Sequence, residues 1–149
     1  ELDLITDSSG MTLKQNNAFG NLNTWTDSNG LQVYGDNYRI NHLTGLGYDI
    51  TLSINTNWND AVDRCLTHSA FGFSDYRLPN DSEMYSIANK EITNIFNYAP
   101  INITFAQIWS STTYAANTLL AYRSTNLGVF GAQNKTSTVL KHIYVRNHY

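Results

Sequence analysis

The sequence predicts an α+β domain, with two main helices in its middle and antiparallel strands in its C-terminal half. Three observations carry that reading. Trp58, Ala61, Val62, Cys65 and Leu66 recur at i, i+3, i+4, i+7 and i+8, which is one stripe of a helix. Asn80 stands three residues before Glu83, the spacing of a capping box. After the second helix the pattern changes to short runs rich in β-branched and aromatic residues.

Taken in order, residues 1–24 contain "TDSSG" and "KQNN" and no clean period, so turns with one short strand are expected. In "DSNGLQVYGDN", residues 27–37, an Asn-Gly turn followed by alternating Leu31 and Val33 signals a hairpin. "YDITLSI", residues 48–54, reads as a short strand. Thr56 or Asn57 is placed to cap the first helix, and Gly72 lies past its end. Its outer face would carry Asn59, Asp60, Asp63 and Arg64, while Met84, Ile87 and Ala88 form the apolar side of the second helix. "NKEITNIFNYAP" reads as a turn or short helix closed by Pro100. Strands are then expected at "AQIWSSTT", "TLLAYRST", "GVFGAQN" and "VLKHIYVRN".

The 149 residues suffice for one domain with a core, and 42% hydrophobic content with 13% aromatics favours a folded chain. Charged residues reach only 14%, and neutral polar side chains and tyrosines take their place, as suits an extracellular binding protein. Glu1 in place of an initiator methionine points to a mature or excised piece of a longer chain. No apolar run is long enough for a spanning helix, so membrane insertion is not expected. A single cysteine, Cys65, permits no internal disulfide and no cysteine-rich zinc cluster.

The charges are unevenly placed. All 12 acids lie before residue 92, together with Lys14, Arg39, Arg64, Arg77 and Lys90. Residues 92–149 carry Arg123, Lys135, Lys141 and Arg146 and no acid at all. A long acid-free segment that carries bases is a candidate surface for an anionic partner.

Catalytic and metal signatures are missing. His142 and His148 are six apart, and neither H-E-x-x-H nor G-x-S-x-G occurs. "WND" at 58–60 lies on the helical stripe, with Asn59 and Asp60 outward, and lacks the converging oxygens calcium requires. The expectation is a protein that is not an enzyme and uses no metal or cofactor. Nucleic acid is not an expected partner.

The ordered pieces W-x-x-A-x-x-x-C at Trp58, Ala61 and Cys65, D-Y-R-L-P-N at 75–80, Glu83, W-S-S-T at 109–112 and V-R at Val145-Arg146 resemble the C-terminal domain family of the Legionella collagen-like adhesins. The likeness covers roughly residues 58–146. It implies a C-type-lectin-like fold, distantly similar to the formylglycine-generating enzymes. It further implies secretion to the bacterial surface, a homotrimer on a collagen-like stalk, and binding of sulfated glycosaminoglycans. Residues 1–24 would then form a stalk-proximal or trimer-forming segment. Two positions depart from the family's pattern: Tyr144 stands where a second cysteine is usual, leaving Cys65 unpaired, and Tyr76 replaces a Trp.

Two sets of residues follow. Asp75, Arg77, Pro79, Asn80 and Glu83, with Trp58, Trp109 and Arg146, are read as structural. Pro79 pre-sets the chain before the helix, Asn80 and Glu83 satisfy its free N–H groups, and Arg77 pairs with Asp75, Glu83 or a carbonyl. Lys141, Lys135 and Arg123, in that order, with His142 as a pH-sensitive helper, are the expected ligand-binding set. A protein-recognising or structural trimeric head, such as a phage tail tip or stalk cap, is the alternative.

Overall fold

The computed structural model describes residues 3–6, 12–15, 25–31, 34–89, 91–98, 101–103, 107–125 and 127–149, the first two segments by their backbone pairing alone. Its elements are β1 (Asp3–Thr6), β2 (Thr12–Gln15), β3 (Trp25–Thr26), β4 (Tyr38–Asn41), β5 (Leu46–Asp49), α1 (Trp58–Thr67), α2 (Asp81–Ser86), β6 (Gln107–Thr113), β7 (Leu120–Thr125), β8 (Phe130–Asn134) and β9 (Tyr144–Asn147). β1 and β2 form a hairpin. Two antiparallel sheets, in the orders β3-β4-β5-β9 and β6-β7-β8, and two short helices make this a small α+β domain.

Local chemistry explains the helices. Asn57 caps α1 by accepting the Asp60 N–H at 2.9 Å. Ala61 and Cys65 are buried, whereas Leu66, the last residue of the predicted stripe, is 62% exposed. The helix stops at His68, whose extended backbone ends it, so the glycine at 72 is not its cap. Gly72 instead completes a tight turn in which Ala70 and Phe73 exchange both backbone hydrogen bonds, with Phe71 and Gly72 at φ of 54° and 83°. Two consecutive positive φ values suit a two-residue hairpin, and glycine adopts them at no steric cost.

Three departures concern strands. β4 escapes the sequence pattern because Tyr38, Arg39, Ile40 and Asn41 are all buried, so no alternation is visible. The "YDITLSI" strand begins earlier and stops at Asp49. "VLKHIYVRN" is a regular strand only from Tyr144; before that, single bridges tie Leu140 to Thr56 and Lys141 to Ile108. Val33 of the predicted hairpin and Pro100 lie outside the described residues.

The segment 140–143 links the two sheets, and tryptophans fasten α1 to the second. The Trp109 indole donates to the Thr56 carbonyl at 2.9 Å, and the Trp58 indole donates to the Ser110 carbonyl at 2.8 Å. Trp109 is fully buried beneath α1 with Ala61, Cys65, Leu78, Ala121 and Leu140. Emptying such a site costs about 3 to 5 kcal/mol. The larger core gathers Trp25, Tyr48, Met84, Ile87, Phe96, Ile101, Ile108 and Ile143. No described helix is long and apolar enough to cross a membrane.

Candidate functional site

The segment 75–83 is a densely bonded joint, in which Asp81 Oδ1 is the buried side-chain atom left without a partner among the described residues. Asn80 accepts the Glu83 N–H at 2.8 Å while Glu83 accepts the Asn80 N–H at 2.8 Å, a complete capping box. The same carboxylate receives Arg77 through both terminal nitrogens, at 2.7 and 2.6 Å. Pro79 is buried, and its carbonyl accepts the Ser111 N–H, so the turn before α2 is also a contact with β6. Arg77 exchanges backbone hydrogen bonds with Val145 at 2.8 and 2.9 Å, which ties the joint to β9.

Arg146 closes the other side. Its guanidinium holds Asp75 at 2.6 and 3.1 Å, lies 3.9 Å from the centre of the Phe73 ring, and donates to the Tyr38 hydroxyl. The Arg146 side chain is 11% exposed. Hydrogen bonding from Arg146 holds the Asp75 carboxyl below the usual carboxylate range. Gly47, opposite Arg146 on β5, is required here: a Cβ would fall 1.8 Å from the Tyr38 hydroxyl.

The four residues expected to bind a ligand are spread and differently engaged. Lys141 is half-buried, and its amine donates to the Ser53 carbonyl at 3.1 Å. Lys135 is half-buried; its amine donates to Thr113 Oγ1 at 3.0 Å and sits 4.0 Å from the centre of the Trp58 ring. His142 is fully buried, with Nδ1 2.8 Å from Ser53 Oγ and no hydrogen-bond partner for Nε2 among the described residues. Burial pushes its pKa down to about 4, helped by the nearby charges of Arg64 and His68. It therefore stays neutral at ordinary pH and cannot assist a surface patch. Ile143 beside it is fully buried as well.

Arg123 stands apart. It pairs with Trp109 on β6 and Gly131 on β8, so its side chain shares the face of the buried Trp109. The residue is half-buried, yet its Nε and Nη1 are enclosed and have no hydrogen-bond partner among the described residues. On the Gly131 side, a Cβ would meet no atom within 4 Å, so the space next to the arginine is open. Lys135 shares this face, because its partner Thr113 pairs with Ala121, two residues before Arg123. Lys141 bridges Ile108, which pairs with Ser124 and therefore belongs to the opposite face. The sheet thus brings Arg123 and Lys135 to one side and leaves Lys141 on the other. Gly131 carries no signal in the sequence beyond being a glycine in a strand, which marks close approach or open space.

Cys65 is a free, buried thiol whose pKa burial pushes up to about 12, and its Sγ lies 3.8 Å from the Ile143 carbonyl oxygen. Among the described residues no group of three or more His, Cys, Asp or Glu side chains is arranged to hold a metal ion. No protein-family model matches the chain, and no curated protein matches it.

Proposed function

We propose that this chain is a non-catalytic extracellular recognition domain that binds a polyanionic, sulfated glycan through the β6-β7-β8 face carrying Arg123 and Lys135. The likeness to the adhesin C-terminal domains, with its lectin-like fold and trimeric assembly, belongs to the same reading. One observation carries it: Arg123 keeps two guanidinium nitrogens unbonded in the third of the chain that has no acid. An enclosed donor without an acceptor costs about 1 to 3 kcal/mol, and more when charged. Turning the side chain toward the open space at Gly131 and onto a sulfate relieves that cost and adds charge-assisted hydrogen bonds. A homotrimer presents three such faces and raises avidity.

The test is retention on immobilised heparin as a function of salt. Binding should weaken steeply with ionic strength, since counterion release drives such association. Arg123→Ala should elute at clearly lower salt than the parent, while its melting temperature is unchanged or higher. Equal elution of both proteins discards the assigned face, and no retention at low salt discards the ligand class. A protein-recognising head is the second reading, favoured by Leu119, Leu127, Val129 and Val139, each more than half exposed along the C-terminal strands and turns. It predicts a trimer by light scattering with no signal on a glycan array.

A further inference from the structure

The first sheet carries a cleft of its own. Residue 37 at the start of β4, the stretch 50–52 leaving β5, and residues 101–103 enclose about 320 Å³. Its floor is Arg39, 5% exposed, with the buried Ile101 and Ile103, and its walls are the half-buried Ile50 and Leu52. The rim is exposed and polar: Asn37, Thr51 and Asn102. Backbone bonds fix it, from Ile50 to the Asn37 carbonyl at 3.0 Å and from Asn102 to the Tyr98 carbonyl at 2.7 Å. Asn102 sits at φ 54°, a left-handed conformation that asparagine tolerates better than most residues. Polar and apolar residues line the cleft in equal number, and its volume is at the lower end of the range usual for small-molecule sites, roughly 300 to 1,000 Å³.

Charge decides what such a cleft accepts. Arg39 Nη1 donates to the carbonyls of Asp36 and Tyr38 at 2.5 and 2.9 Å and lies 3.9 Å from the Asp36 carboxylate, with the guanidinium carbon 4.1 Å from the centre of the Tyr34 ring. Asp27 adds a second negative charge acting on Arg39. Burial alone would raise the Asp27 carboxyl, but the N–H groups of Gly35, Leu31 and Asn29, each at 2.9 Å, hold it below its ordinary value and ionised. Among the described residues one guanidinium stands against two carboxylates, which leaves no surplus of positive charge for an anion. The rim amides and hydroxyl each donate and accept, as do the hydroxyls of a sugar, and the aliphatic walls suit the C–H face of its ring.

We infer that this cleft binds a single neutral hexose unit, independently of the polyanion face on the other sheet. The test is a titration of the isotopically labelled protein, followed by amide NMR, with the methyl glycosides of glucose, galactose, mannose and N-acetylglucosamine, and with methyl glucuronide as the charged control. At least one neutral glycoside should shift the amides of Thr51 and Asn102 saturably, and more strongly than the glucuronide. Asn102→Gly suits the left-handed backbone and Thr51→Val keeps the side-chain shape, so both preserve the fold while removing one polar group each. Each should weaken binding roughly 3- to 10-fold, the worth of one hydrogen bond, and Arg123→Ala should leave it unchanged. Preference for the glucuronide, absence of any saturable shift at the top of the titration, or unaltered affinity in both cleft variants overturns the inference. Because heparin retention is read separately, either site can fail without the other.

Discussion

The joint at residues 75–83 and the β6-β7-β8 sheet both bring an arginine against a packed core, and they treat it in opposite ways. Arg77 and Arg146 each meet a carboxylate through two nitrogens, Glu83 and Asp75 respectively. Arg123 meets none. The histidines repeat the contrast: His68 Nε2 lies 2.7 Å from the Asp49 carboxylate, whereas the His142 ring has a serine hydroxyl as its hydrogen-bond partner among the described residues. The acid-free sequence after Glu91 does not explain it alone, since Arg146 lies there too and reaches back 71 residues to Asp75. A cation with a local carboxylate is committed to the fold. Without one, Lys135 and Lys141 turn to neutral oxygens, and Arg123 keeps two nitrogens unbonded among the described residues.

The largest expected effect tests the unmatched histidine. The unfolded chain protonates His142 near its ordinary pKa of about 6.5, while the folded chain refuses the proton until about 4. Between those values the unfolded state binds more protons, so stability falls as pH is lowered and this loss stops below about 4. The window is worth about 3 kcal/mol at most, or roughly 6 to 12 °C in melting temperature for a domain of this size. Below it, the Asp75 carboxylate, held low by Arg146, adds a further loss as its own folded pKa is passed. Thermal melts across pH 3–8 should show His142→Gln with a flatter profile above pH 4 than the parent. An unchanged slope would place the acid sensitivity elsewhere.

Next comes the matched arginine. Glu83→Ala removes the capping box and strands Arg77, whose side chain is 39% exposed and so is partly rescued by water. A loss of about 2 kcal/mol is expected, near the top of the range for caps. Glu83→Gln should recover part of it, since the amide still accepts the Asn80 N–H. Denaturant unfolding measures both. Arg123→Met is predicted to do the reverse on the other sheet, replacing unbonded donors by an apolar side chain and raising stability by up to about 1 kcal/mol. If it destabilises by as much as Glu83→Ala, the two regions do not differ and the case for a ligand at Arg123 fails.

How much of this could be read from the sequence depended on how local each contact is. Asn80 and Glu83 are three residues apart, so their box was legible, and so was Glu83 as one of the candidate partners for Arg77 six residues before it. Asp75 and Arg146 are 71 residues apart, and no periodicity links them. β4 was hidden because both of its faces are covered, and the segment from Leu140 to Ile143 because isolated bridges to Thr56 and Ile108 replace a regular ladder. The absence of acids singled out the last third of the chain as a candidate surface but could not tell its bases apart. That ranking rests on what each amine touches in three dimensions, which placed Lys141 on the opposite face and turned His142 inward.

Lys135 lies between the two cases and gives the smallest and most informative change. It belongs to the acid-free third, yet its amine is bonded to Thr113 and stacked on Trp58. A cation over an indole at a half-exposed site is worth about 0.5 to 1 kcal/mol, so Lys135→Met, which keeps most of the stem packing, should lower the melting temperature by roughly 1 to 4 °C. If that loss appears while heparin elution moves little, Lys135 is a structural cation like Arg77, and the binding face rests on Arg123. If stability holds and elution falls, the amine leaves Trp58 for the ligand, and the face has two working cations. The indole reports on this directly: Trp58 fluorescence should change on adding heparin in the second case and stay constant in the first.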